Sequence, residues 1–194
     1  MENTMNRTFT TLFAFALLVC GISSCTPDDS IYRATEQSVQ QFEEAGVQNM
    51  NNDALFVAEA ASANMLQVQL AGLAEGQAVS PEVKGLAQRM AADHGRMTDE
   101  LQTMASQSNF VLPTELGAAH QKSLDNVSAR SGLSFDLSYI KTIVQEHQNL
   151  LKRHEAMADN GVTMEVKQYA SRQVPLLRQH LETAQALERK VQNI

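Results

Sequence analysis

The chain is expected to be all-α, a four-helix bundle made of two helical hairpins joined by a longer crossover. Three observations point there. Four long segments repeat apolar residues at alternating steps of three and four, the spacing of one helix face. No stretch of any length alternates as a strand would. The composition is rich in Met, Ala, Leu and Gln, has no Trp, and is only 5 % aromatic.

The elements follow in order. Residues 1–24 read as a leader: Arg7 is the one basic residue before a nearly unbroken apolar run from Phe9 to Ile22. That run is too short to span a bilayer, which takes about 20 residues, and suits the apolar region of a signal peptide. It ends in Ile22-Ser23-Ser24-Cys25, which resembles the bacterial lipoprotein box. The resemblance implies cleavage before Cys25, lipidation of that residue, and a membrane partner reached through the lipid anchor. A signal-anchor helix or plain secretory peptide is the alternative. The implied place is the cell envelope, as an outer-membrane lipoprotein facing either the periplasm or the cell surface; Asp28 and Asp29 look like a surface-sorting signal. Cys20 would leave with the leader, so no thiol would remain for a disulfide, a thiolate metal site or a nucleophile. The net charge of −7 argues against nucleic acid, whose binding depends on clustered Lys and Arg.

Residues 25–52 are polar and weakly patterned and read as a lipidated N-terminus and tether, with a possible short helix over 33–44. Residues 53–194 read as the bundle domain. Its first helix spans about 53–75 and stops before Gly76. Its small residues Ala60, Ala63, Ala71 and Ala74 permit close packing. The second starts at the cap Ser80-Pro81-Glu82 and runs to about Ser108. The crossover, 109–132, contains Pro113 and a short extra helix with Leu116, Leu124 and Val127 on one face. The third helix spans about 134–160 and ends at Gly161, read as a left-handed stop. The fourth runs from about Thr163 nearly to Ile194, with Pro175 inside it expected to kink it.

The core stripes carry the chemistry. The second helix offers Val83, Ala87, Met90, His94, Met97, Leu101 and Met104. The third offers Asp136, Ile140, Ile143, His147, Leu150, His154 and Met157, and the fourth Val166, Ala170, Gln173, Leu177, His180, Ala184, Leu187 and Val191. His94, His147 and His180 each fall near mid-helix, so they are expected at one level of the core. Asn64 and Gln67 of the first helix stand at the same height. Three neutral imidazoles can hold Zn, Cu or Fe with a position left open, with Asp93, Asp136 and Gln67 as a possible outer set. The alternative is a structural network in which the histidines bond one another or Asp93, Asp136, Gln67 or Gln173. Met90 and Met97 beside His94 would suit Cu(I), though core filling explains them as well. His154 reads as a solvated helix end and His120 as a surface residue. Covalent haem is excluded because no C-x-x-C-H occurs.

The segments "VKGLAQRMAADHGRMTDELQTMA", "SGLSFDLSYI", "QEHQNLL" and "VPLLRQHLETAQAL" together resemble a bacterial envelope family known as domain of unknown function 4142. The resemblance covers about 53–187 and implies a ferritin-like four-helix bundle behind a signal peptide. The family's characteristic histidines fall on His94, His147 and His180, and Asp93, Phe135, Asp136, Tyr139 and Pro175 fall on typical positions. Two departures bear on chemistry. Gln67 stands where the family usually has a glutamate, and an amide is a poor metal ligand. The paired E-x-x-H motifs of di-iron bundles are also absent, since Ala91, Val144 and Leu177 precede the three histidines by three positions. A ferroxidase or oxygenase therefore fails on ligands, and without an adjacent acid–base pair or nucleophile an enzyme is the least favoured reading. A non-catalytic lipoprotein that binds a transition metal or small ligand, for storage, buffering or stress protection, is the leading expectation. A structural or interaction lipoprotein with a histidine network is the alternative.

Overall fold

The computed structural model describes residues 29–192. The leader, Cys25 with its lipidation, and Asp28 lie outside the described residues. Six helices follow one another: α1 (Ser30–Glu44), α2 (Asn51–Gln77), α3 (Pro81–Gln107), α4 (Ala118–Ser128), α5 (Gly132–Asn160) and α6 (Met164–Gln192). No described helix is long and apolar enough to cross a membrane.

The four long helices form the bundle. α2–α3 and α5–α6 are hairpins with three-residue turns, packed so that α2 lies against α5 and α3 against α6. Neighbours run antiparallel. The start of α2 meets the α5–α6 turn, because Asp53 accepts from Val162 N–H at 2.9 Å and Thr163 N–H at 2.8 Å. At the opposite end, the start of α5 meets the α2–α3 turn, where Asp136 accepts from Ser80 N–H at 2.8 Å and Val79 N–H at 3.2 Å. Both carboxylates are fully buried. Each satisfies backbone donors that a helix start leaves without an intrahelical partner, and so ties one hairpin to the other. The crossover 108–131 returns along the bundle's length and carries α4.

The two hairpins repeat one another. Asp136, Thr163 and His147 each lie 83 positions after Asp53, Ser80 and Asn64, and "VSPEV" (79–83) recurs as "VTMEV" (162–166).

α1 belongs to the packed structure rather than to a free tether. Asp29 caps two helices at once: one carboxylate oxygen accepts from Ile31 and Tyr32 N–H, the other from Ala118 N–H at 2.7 Å, the first turn of α4. α1 then lies along α2, with Ala34 and Ser38 buried. A Cβ at Gly117 would meet the tip of the Ile31 side chain, so glycine lets α1 and α4 approach here without displacing Ile31.

α2 is covered by α1, α3, α4 and α5. That explains why its buried residues surround it instead of forming a stripe. Gly161 departs from the expected left-handed stop. Its φ and ψ are −54° and 148°, and a Cβ there would come within 2.9 Å of the Met157 carbonyl oxygen, so glycine is required for space and not for handedness.

Candidate metal centre

Three stripes deliver three rings to one level. His94 lies between Met90 and Met97 on α3, His147 between Ile143 and Leu150 on α5, and His180 between Leu177 and Ala184 on α6. All of these flanking residues are buried. Ala63, Met97, Leu150 and Leu177 close the apolar layer on one side of the rings.

The rings converge edge to edge, with His94 Nε2 3.2 Å from His147 Nε2 and His147 Nε2 3.3 Å from His180 Nδ1. One ring nitrogen from each histidine lies within 4.8 Å of the others. Bond distances of 2.0–2.1 Å to a tetrahedral metal would separate nitrogens by about 3.3–3.4 Å. The two resolved edges match that spacing, and the site can hold a metal ion.

The outward nitrogens decide where the protons are. His147 Nδ1 lies 2.9 Å from the Ile143 carbonyl oxygen, which only accepts, so Nδ1 carries the proton. His180 Nε2 lies 2.8 Å from Asp93 Oδ2 and donates to that carboxylate, which Arg96 also contacts. His94 Nδ1 lies 2.8 Å from Asn64 Oδ1. That amide's orientation is fixed by a chain: Tyr169 O–H donates to the Met97 carbonyl at 3.3 Å, so the Tyr169 oxygen accepts from Asn64 Nδ2 at 3.4 Å. Asn64 Oδ1 is then the acceptor and His94 Nδ1 the donor. Each ring has placed its single proton outward, and the three inward nitrogens face one another as bare lone pairs.

Burial keeps them bare. Desolvation, reinforced by His147 and His180, holds His94 well below the ordinary histidine range. Desolvation followed by the His180 charge lowers His147 to about 3. Desolvation also lowers His180, against the opposing pull of its bond to Asp93. A proton is therefore not the cation that joins these lone pairs near neutral pH. Orientation of each ring by an acceptor on its far nitrogen is the arrangement that raises ligand basicity in metal sites.

The remaining sequence candidates separate. Asp93 sits against His180. Gln67, one turn along α2 from Asn64, is fully buried with both amide atoms unpartnered. Asp136 is not part of the site. It stands three turns from His147 at the end of the bundle, with its oxygens committed to the α2–α3 turn. Asn64, expected at the level of the histidines but given no role there, fixes the His94 tautomer together with Tyr169, which the sequence did not point to. His154 is not a solvated end: it is 1 % exposed, with Nδ1 donating to the Leu150 carbonyl at 2.8 Å and Nε2 unpartnered. His120 is not on the open surface either, being packed against Ser62 and near Glu146.

Fold and site together define an all-helical bundle whose core encloses three metal-competent imidazoles. The family model "Domain of unknown function (DUF4142)" matches residues 36–187, and the chain belongs to that family. Among solved structures the chain is similar to a DUF305 fragment from Deinococcus radiodurans, at 14 % identity and TM-score 0.63 over 72 % of this chain and 96 % of that one. It is also similar to a putative secreted DUF305 protein from Streptomyces coelicolor, at 10 % identity and TM-score 0.52 over 70 % and 86 %. At these identities the likeness concerns the fold alone. No curated protein matches.

Proposed function

We propose that this protein is an envelope lipoprotein, anchored through Cys25, that holds one transition-metal ion (Zn, Cu or Fe) between His94, His147 and His180. The observation that carries the metal reading is the arrangement of three bare nitrogens within 4.8 Å of one another, two of the edges at 3.2 and 3.3 Å, each ring's proton already used on an outer acceptor. A purely structural network needs a proton between at least two of those nitrogens, and the outer bonds leave none to supply it. Bound there, the metal would act as a Lewis acid or redox centre with one position open. The chain's own groups orient the rings and exclude water through the Ala63–Met97–Leu150–Leu177 layer. Neither a nucleophile nor a carboxylate ligand accompanies the rings, so the role favoured is retention of the metal for storage, buffering or protection against stress, without turnover. Anchoring rests on the Ile22–Cys25 box and the apolar run before it.

The test is elemental analysis of the full chain purified without a polyhistidine tag or chelating resin, beside His94→Ala/His147→Ala/His180→Ala. About one metal per chain, lost in the variant, is expected; equal metal content in the two proteins would refute the site. Separately, Cys25→Ser should move the protein out of the membrane fraction, and unchanged retention would refute the anchor.

A further inference from the structure

A second feature stands apart from the triad. A cavity of 290 Å³ lies between α2 and α5, roofed by the first residues of α1 and α4. It is sized for a molecule and not an ion, since one water occupies about 30 Å³, and it falls at the lower end of ligand pockets.

Its polar groups can be accounted for one by one. Glu59 accepts from Arg153 Nε at 2.9 Å, so these two charges offset each other. Arg153 also lies over the Phe56 ring and donates to Asn52. Ser62 Oγ accepts from Gly117 N–H and lies 2.7 Å from His120 Nδ1, to which its hydroxyl donates. His120 then turns Nε2–H toward Glu146, 3.9 Å away, and Ser123 Oγ donates to the same carboxylate at 3.1 Å. Of the partners of Glu146, Ser123 is uncharged, and desolvation lowers His120 against the opposing pull of Glu146, Glu59 and Asp29. Glu146 therefore carries the cavity's uncompensated negative charge. At the other end His154 has spent its proton on the Leu150 carbonyl, and its Nε2 is a buried lone pair without a donor. Phe56, Ala60, Ala63 and Leu150 supply apolar wall between the two ends. Glu146 and His154 are eight residues apart on α5, about 12 Å along its axis.

We infer that this cavity binds a small elongated organic monocation: an ammonium head on Glu146, an apolar body against Phe56, Ala60 and Leu150, and a distal hydroxyl or N–H donating to His154 Nε2. The Glu146 carboxylate and the His154 lone pair both accept hydrogen bonds, which favours a donating, positively charged ligand; the donors that remain are the Asn149 amide and His120 Nε2–H. A metal ion would meet one lone pair and one distant carboxylate, too few ligands at that separation. The cavity shares Ala63 and Leu150 with the layer beside the triad, and none of the triad's rings lines it.

Tyramine, which has an ammonium, a ring and a phenolic hydroxyl, is a suitable probe. Phenethylamine lacks the hydroxyl, and 4-hydroxyphenylethanol lacks the charge. Calorimetric titration of the full chain in detergent at neutral pH should show saturable tyramine binding. Glu146→Gln, or use of the uncharged alcohol, should weaken it about tenfold or more, as expected for loss of a hydrogen bond to a charged group. His154→Phe should bring tyramine down to the affinity of phenethylamine while leaving phenethylamine unchanged. Absence of saturable tyramine binding, or binding indifferent to Glu146→Gln, would overturn the proposal. If His154→Phe abolishes phenethylamine binding as well, the cavity has been lost in that variant. The ratio of the two amines on the parent chain then decides, and equal affinities would overturn the contact to His154.

Discussion

His147 is the hub of the triad, since both short nitrogen–nitrogen approaches share its Nε2. In a structural network, its loss would strand two buried partners and cost about 1–3 kcal/mol. In a metal site without its ion, the same substitution removes a lone pair facing two others. His147→Leu should therefore leave the metal-free protein as stable as the parent, or more so, while abolishing the metal-dependent rise in melting temperature. Thermal melts in chelator and in added metal check this, and marked destabilisation of the chelated variant would favour the network. The triad was legible because each histidine interrupts an otherwise apolar stripe at mid-helix. Asn64 and Tyr169 were less legible because a tautomer is fixed by contacts between helices, which spacing along one helix does not report. His154 shares the stripe of His147, yet its flanking sequence, Leu151-Lys152-Arg153-His154-Glu155, is mostly polar and concealed its burial. The ring is covered by Phe56 and Tyr169 from other helices.

At the scale of elements, α3, α5 and α6 were legible from their stripes because each is covered on one side only. α2 was legible as a helix close to its observed bounds, but its core face was not, since four helices cover it and no single face is apolar. α1 resisted because its burial depends on Asp29 and Gly117, whose partners lie far away in sequence. The hairpin repeat, marked by "VSPEV" and "VTMEV" and recognised only once the hairpins are superposed in the fold, explains why two aspartates do the same work at opposite ends of the bundle. Asp53→Ala and Asp136→Ala should each destabilise the protein by about 1.5–3 kcal/mol, the range for hydrogen bonds to a charged group. The sites share no partner and stand a bundle length apart, so the double variant should lose the sum of the two within about 0.5 kcal/mol. Denaturant titration measures all three proteins. A double variant no worse than either single one would contradict independent clamps.

For the whole molecule, the buried neutral histidines set the response to acid. His147 and His154 titrate at about 3 and about 4 when folded, both driven down first by desolvation, against 6.5 when unfolded. Above pH 6.5 both states are neutral at these groups, and they add no pH dependence. Below it the unfolded chain takes up protons that the folded chain refuses. Metal-free stability should therefore fall by up to about 1.4 kcal/mol per pH unit for each histidine. The fall should level off as pH passes the folded values. Melts between pH 7 and pH 4 test this, and flat stability over that range would contradict neutral burial. Metal at about a thousand times its dissociation constant should add about 4 kcal/mol. The measurement that bears most directly on the central claim is X-ray absorption at the edge of the bound metal in the loaded full chain. The expected result is three imidazole nitrogens bound at about 2.0–2.1 Å, lost in the triple-alanine variant. A shell made of oxygens, or one unchanged in that variant, would place the metal elsewhere and contradict it.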